Sequence, residues 1–552
     1  MSAVALIVDV GGDYLPTGDY AYIEMHTRDV GHHPVLIGLY SRVDWSHPGP
    51  AAFYLLSLPY RLTGGASIGV NVGALLINGA AIAGMALVAR RRGGTPLMLF
   101  TLVGCGVLAR ALGADFLRDP WNPSITVLPF GLLLFLCWEM TAGGSWALPV
   151  AAGVASYCVQ THIGYAPLAI PLVVWGAAWL VVHARGAGRR RRRGLVHASL
   201  IAVAVVAVMW LPPLLDQLVH SPGNLTRIAR YFEKPDAKAH TLAQGYRVVG
   251  AQLGLAPDWV AGQHKLSPFL FGETDLVSSA PAPVLLLPFV LAVVVLWRRR
   301  SSEGLRLAAT LGLALVLGVL AVARTIGAVN DYRLRWTWVL GMTVGIVMAW
   351  AAWTLVAGRW SRAEGRALVP IAVSLLVVLA GVNAVAAARA GTPASGPNKN
   401  WSSTMAALIS PVAHALPVGD GEVLVHYTSI ESLLHAPGVV LGLERRGIDA
   451  RVEPEPATRF GEHRVHHRGP VRAVVTLVSG TDVLSPQPGA RLVAYWGERT
   501  RADLARTNER LSALDAAHAA GTMGEQEWVR RRRLLSPGDA MAAFMSSPIS
   551  TR

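Results

Sequence analysis

Residues 18–50 read GDYAYIEMHTRDVGHHPVLIGLYSRVDWSHPGP and crowd Asp19, Glu24, Arg28, Asp29, Arg42, Asp44 and His47 into one segment. A positioned carboxylate can take a proton from an attacking hydroxyl. A guanidinium matches the geometry of a phosphate and stabilises its charge as it leaves. Asp19 is the first candidate base, with Glu24 and Asp29 as further carboxylates, and Arg28 and Arg42 are candidate phosphate ligands. Tyr20, His47 and Tyr54 are candidate substrate contacts. Three acids in a short stretch are ordinary for a surface loop. The company is less ordinary: Gly18 precedes Asp19, aromatics surround it, and His47-Pro48-Gly49-Pro50 follows. Prolines fix backbone direction, so this segment is expected to hold a geometry.

Three shorter segments carry similar residue types. DFLRDPWNP, residues 115–123, supplies Arg118, Asp119, Trp121 and Asn122. It reads either as a capping turn with an interfacial Trp or as a sugar site, with an indole face for stacking and polar groups for hydroxyls. Gln160, His162 and Tyr165 lie close together, and NDYRLRW, residues 330–336, adds Arg333 and Arg335. His162 can bond a neighbouring helix or line a cavity. Charges at a membrane boundary are functional candidates, with lipid phosphate as the obvious partner. The stretch 215–281, with Arg227, Arg230, Lys234, Asp258, His264 and Lys265, could cover such a site. Asn224-Leu225-Thr226 is a formal glycosylation sequon that carries little weight in a bacterial chain.

The elements that must position these residues are set by composition. The chain is 53% hydrophobic and only 15% charged, with mean hydropathy +0.42. Apolar runs recur at 67–89, 95–112, 124–140, 145–159, 165–183, 197–214, 282–297, 303–323, 335–356 and 366–387. A run of about 20 apolar residues spans the hydrocarbon core as a helix. The net charge of +15 does not point to nucleic acid, because Arg90–Arg92, Arg189–Arg193, Arg298–Arg300 and Arg359–Arg366 each lie at one end of an apolar run. That placement marks cytoplasmic loops. Segments 1–66, 113–123, 160–164, 215–281, 324–334 and 388–552 then lie outside. Residues 51–64 are too short to cross and are expected to lie along the outer interface, with Tyr54 and Tyr60 at headgroup level. Cys105, Cys137 and Cys158 fall within apolar runs, so neither a disulfide nor a metal cluster is expected.

After residue 388 the composition is that of a soluble protein. VLVHY (423–427), RVEP (451–454), VRAVVTLVS (471–479) and RLVAYW (491–496) predict strands, and 429–446 and 501–519 predict helices. The fold class expected is therefore a polytopic α-helical membrane protein over residues 1–387, followed by an extracytoplasmic α/β domain over 388–552. That domain reads as a carbohydrate-binding module or as a structural one. Lys is nearly absent and Ala, Val and Arg dominate, so a GC-rich, actinobacterial genome is expected.

Gly18-Asp19-Tyr20, with the later stretch His47-Pro48-Gly49-Pro50 through Tyr54, resembles the first outer loop of the GT-C glycosyltransferases. The resemblance is to the superfamily of protein O-mannosyltransferases and lipid A aminoarabinose transferases, in which an acidic motif follows the first membrane helix. It implies sugar transfer from a polyprenyl-phosphate-linked donor to a cell-envelope glycan, lipid or protein, with Asp19 as the base. In an actinobacterial setting the sugar would be arabinofuranose or mannose on a decaprenyl carrier. The family's adjacent second acid is replaced by Tyr20, so Glu24 or Asp29 would have to stand in. Only MSAVALIV precedes the polar segment, so upstream sequence, or loss of the first family helix, is expected. No metal-ligand spacing is evident, and a divalent cation at Asp19 is the one cofactor the pattern admits. The competing readings are a transporter or flippase for lipid-linked sugars and an inactive scaffold. The scarcity of ionisable residues deep within the spans favours catalysis at the outer surface.

Overall fold

The computed structural model describes residues 14–547, apart from 42, 44, 187, 236–237, 263–281, 328–329, 358–361, 390–400, 455–456, 486–488 and 536–539. These residues form two compact units, one spanning 34–389 and one combining 14–33 with 401–547. The first helix, α1 (Gly18–Asp29), thus belongs with the C-terminal unit and not with the helices that directly follow it.

The membrane unit comprises α2 (Ala51–Leu62), α3 (Ile68–Leu112), α4 (Val127–Thr141), α5 (Ala147–Thr161), α6 (Ala166–Arg185), α7 (Arg189–Val219), α8 (Asn224–Glu233), α9 (Leu242–Ala251), α10 (Leu286–Arg298), α11 (Ser302–Ala323), α12 (Trp336–Val356) and α13 (Arg362–Arg389). Hydrocarbon offers no partners to backbone amides, which is why apolar runs of this length become helices. α3 holds two expected spans, broken at Gly94, whose φ of 68° few other residues adopt. Helices occupy all ten expected segments. Among the described residues, however, six helices are long and apolar enough to cross a membrane, with α3 counted as one. α5 has 15 residues and α10 has 13, and each rises only about 20 Å. Leu200, Val203 and Val208 on α7 are exposed, as a lipid-facing helix requires.

α2 exposes Tyr54, Leu55, Leu58 and Leu62 and buries Phe53, Leu56 and Tyr60. The exposed apolar face suits an interfacial helix. Tyr60 is a correction: it is buried rather than at a headgroup surface. At the end of the unit where the Arg clusters fall, fully buried Glu139 accepts from Arg92 Nε at 2.5 Å and from Trp146 Nε1 at 2.8 Å. Arg92 also lies 3.9 Å from Glu303, so this polar lock ties the turn within α3 to α4 and α11.

The second unit continues with α14 (Trp401–Ala415), β1 (Glu422–Tyr427), α15 (Ile430–Glu444), β2 (Ala450–Val452), β3 (Val471–Ser479), β4 (Ala490–Gly497), α16 (Arg501–Ala519), α17 (Glu525–Leu534) and β5 (Ala540–Ser546). The sheet order is β2-β1-β3-β5-β4. β1 is parallel to β2 and β3, and β5 is antiparallel to β3 and β4. The four expected strands and two expected helices are present. β5 escapes a sequence reading because AMAAFM lacks β-branched residues, yet Ala540 through Met545 are all buried between two strands.

α1 is held in this unit by specific bonds. Thr17 Oγ1 donates to the Leu434 carbonyl at 2.7 Å, and Tyr22 packs edge-on against Phe460 with centroids 4.9 Å apart. Asp29 receives two bonds from Arg464, at 2.6 and 2.8 Å, and Arg464 also donates to Glu444 at 2.7 Å. Glu444 in turn pairs with Arg28 at 3.1 Å. Burial opposes ionisation of Asp29, but His463 and Arg464 beside it prevail and hold its carboxyl well below the usual carboxylate range. His26 is fully buried and donates from Nε2 to the Arg459 carbonyl at 2.9 Å. Desolvation lowers its pKa to about 4.

Two outcomes follow. Arg464→Met strands Asp29 in a buried position, and breaking such a pair commonly costs about 3–5 kcal/mol, so thermal unfolding of purified protein should shift sharply down. His26 is neutral when folded and titrates near 6.5 when unfolded, so its stabilisation is present above that pH and lost between pH 6.5 and about 4. The slope there should be about 1.4 kcal/mol per pH unit, and His26→Gln, which retains a donor, should flatten it.

Candidate active site

The expected site residues divide between the two units. Asp19, Tyr20, Glu24, Arg28 and Asp29 lie on α1, in the C-terminal unit. His47, Tyr54, Arg118, Asp119, Trp121, Asn122, Gln160, His162, Tyr165, Arg333 and Arg335 lie in the membrane unit. Arg42 and Asp44 lie outside the described residues, as do His264 and Lys265.

On α1, Asp19 and Tyr20 are half-buried at the first turn. Gly18 opens the helix with φ 55°, a backbone state that glycine adopts without strain. Glu24 is buried and ion-paired with Arg445, and Asp29 is buried under Arg464. The expectation that one of these acids supplies a second carboxylate meets a physical obstacle, because each charge is already committed to a guanidinium within the unit. Arg28 is likewise engaged with Glu444. The reading of 18–29 as a catalytic loop is corrected to a helix with a packed face.

In the membrane unit, a different set converges at the end opposite the Glu139 lock. The turn before α2 brings His47 to 6% exposure. Gly49 donates from its backbone N–H to the Gln160 carbonyl at 3.3 Å. A Cβ at Gly49 would clash with the Gln160 side chain and with Pro213, so a larger residue here would force both to shift. His162 ends α5, and its ring lies 4.8 Å from that of His47, with Tyr165 packed edge-on at 6.0 Å. The Ile163 backbone N–H donates to His47 Nδ1 at 3.3 Å, and the Gly164 N–H donates to His162 Nδ1 at 3.2 Å. A neutral imidazole that accepts at Nδ1 carries its proton on Nε2. Burial, then His162 and Arg333, push the His47 pKa well down, and burial with Arg333 lowers that of His162 to about 3. Both rings are therefore neutral N–H donors at physiological pH, within the field of half-buried Arg333. Arg335 donates to Ser124 Oγ at 2.9 Å and lies 3.8 Å from Asp331.

Several expected contacts prove structural. Trp121 is buried with Tyr332 against it at 4.9 Å, so sugar stacking on this indole is not what the geometry offers. Asp119 Oδ1 accepts from the Trp121 N–H at 3.0 Å and fixes that turn. Arg118 is buried and paired with Asp115, and its carbonyl accepts from Asn71 at 3.1 Å. Asn122 Nδ2 donates to the Thr161 carbonyl at 3.4 Å, and Gln160 Nε2 to that of Met209 at 2.8 Å, so both tie helices together. Tyr54 donates to the Val35 carbonyl at 2.9 Å.

Sequence reasoning missed Asn224. Its Oδ1 accepts from the Ser46 N–H at 2.8 Å, its Nδ2 donates to the Ser46 carbonyl at 2.8 Å, and its backbone N–H bonds Asp216 Oδ2 at 2.7 Å. This amide clamps the residue before His47. At 6% exposure it has no room for a glycan, which disposes of the sequon. Asp216, near the end of an apolar helix, was the visible signal.

No family model matches the chain, and no curated protein does. Among solved structures, the fold matches that of ArnT from Cupriavidus metallidurans bound to undecaprenyl phosphate, with TM-score 0.55, 13% identity, and coverage of 98% of this chain and 96% of that one. The same enzyme in its apo state gives TM-score 0.52 at 13% identity, with the same coverage. The chain shares the fold of these ArnT structures, and among the described residues six of its helices are long and apolar enough to cross a membrane.

Proposed function

We propose that the protein is a membrane glycosyltransferase that moves a sugar from a polyprenyl-phosphate-linked donor to an acceptor at the outer face. The observation that carries this reading is the convergence of His47, His162 and Arg333 at one end of the membrane unit. Two neutral imidazole N–H donors within the field of a guanidinium suit a phosphate, because charge-assisted bonds are the strong ones and no second cation repels the first. The fold's likeness to a structure bound to undecaprenyl phosphate supports the same donor class.

In the proposed reaction an acceptor hydroxyl oxygen attacks the anomeric carbon. The bond from that carbon to the phosphate oxygen breaks, and polyprenyl phosphate leaves. Arg333, with His47 and His162, stabilises the charge that develops on it. The hydroxyl proton passes to a carboxylate, and the resemblance of Gly18-Asp19-Tyr20 to the family's acidic motif makes Asp19 the residue to test as that base. Support for Asp19 is its match to the family's acidic motif and its half-exposed position, against the burial of Glu24 and Asp29 in ion pairs. The acceptor is proposed to be a cell-envelope glycan, lipid or protein.

Asp19→Asn keeps the shape and removes the basicity. It should lower transfer by about 10²- to 10⁴-fold while leaving expression and undecaprenyl phosphate binding nearly intact. Wild-type transfer by this variant would remove Asp19 from the mechanism. Arg333→Ala should weaken undecaprenyl phosphate binding to purified protein by roughly 10- to 100-fold, the loss of one charged hydrogen bond. Unchanged binding would overturn the phosphate assignment.

A further inference from the structure

α1 ends at Asp29, and the chain then reverses on itself. The backbone N–H groups of His32 and His33 both donate to the Asp29 carbonyl at 2.8 Å, with Gly31 at φ 82° making the turn. The turn returns the His33 ring over the Asp29 side chain. From the far end of the sequence, the 3-10 turn Glu462–Arg464 presents His463 to the same carboxylate, its Nε2 3.5 Å from Asp29 Oδ1. One ligand atom from each of Asp29, His33 and His463 lies within 4.8 Å of the other two. His463 Nε2 is sealed from solvent and makes no hydrogen bond. At 3.5 Å the nitrogen is only loosely paired with the carboxylate, and a cation between the two would satisfy both.

We propose that Asp29, His33 and His463 bind a divalent transition ion of the zinc class. Two imidazoles and a carboxylate form a nitrogen-rich set that suits zinc and its neighbours, whereas magnesium and calcium prefer oxygen ligands. Ligand atoms about 2.0–2.1 Å from a tetrahedral ion stand about 3.3 Å apart, so Asp29 and His463 are already near that spacing. Three protein ligands leave a fourth position for water.

Two features act against the ion, and each has room to give. Arg464 bonds both oxygens of Asp29, but a carboxylate accepts about four hydrogen bonds, and Arg464 shares its charge with Glu444. The His33 and His463 rings are stacked, with centroids 3.7 Å apart and planes 7° from parallel. Parallel rings cannot aim both lone pairs at one ion, so the exposed His33 ring must turn out of the stack to bind. The ion would clip the end of α1 to a turn more than 430 residues away in sequence and would stabilise the second unit by mass action. This assignment is independent of the transfer reaction and of Asp19.

The test is zinc uptake by the purified full-length chain after chelator stripping, read by competition with a chromophoric chelator and by thermal unfolding. One equivalent should bind, and unfolding should rise with zinc concentration. His33→Ala, at an exposed turn, should fold normally and bind zinc at least about tenfold more weakly, a loss of one ligand's worth. His463→Ala should do the same. His518→Ala, at a half-buried histidine paired with Glu525, should bind as the parent does. Failure to take up one equivalent, or uptake unchanged in the His33 and His463 variants, would overturn the site.

Discussion

Arg464 reaches Asp29 across 435 residues of sequence, and both groups are nearly sealed from water. A buried charge without its partner is costly enough to decide which segments fold together. This pair, extended through Glu444 to Arg28 and supported by the Glu24 and Arg445 pair, draws α1 into the C-terminal sheet unit. The consequence for chemistry is direct. Two of the three acids on α1 are spent on structure, and Asp19, in the first turn of the same short helix, keeps a half-exposed position.

The membrane unit obeys a different constraint. Its interior admits few charged groups, and polar side chains at the helix ends bond one another. At one end Glu139, Arg92, Trp146 and Glu303 interlock. At the other, Asn224 and Asp216 fix the backbone before His47, and Gly49 lets that turn lie against Gln160. A site held by such bonds is preorganised, because its donors need not move when charge develops. The depressed basicity of His47 and His162 is part of the same design. Burial beside Arg333 keeps them neutral, so they donate hydrogen bonds without adding repulsive charge.

Much of the fold is legible in sequence, because hydrocarbon and the pleated sheet impose simple periods. Uninterrupted apolar runs over ten segments could only become helices, and Arg at alternate ends ordered them. The Val-rich run VRAVVTLVS marked β3, and Arg90–Arg92 between two apolar runs marked the turn within α3. β5 was not legible, because its Ala and Met residues state no preference, and burial between β3 and β4 alone makes them a strand. Nor were the bounds of each span, since α5 and α10 both begin later than the runs that predicted them and end beyond those runs.

The residue types needed for phosphate and hydroxyl chemistry, and the stretches that carry them, were determined by the sequence itself. Which of those residues act together was not, because the decision lies in contacts between distant segments. Trp121 looked like a stacking platform until Tyr332 was found against it, and Asn224 looked like a sequon until it was found clamping Ser46. Glu24, Asp29 and Asp19 are equivalent acids in a string of letters. Arg445 and Arg464, more than 400 positions away, pair with Glu24 and Asp29 and commit those two to the fold. Charge acts through space rather than along the chain, so tertiary structure alone could make that choice.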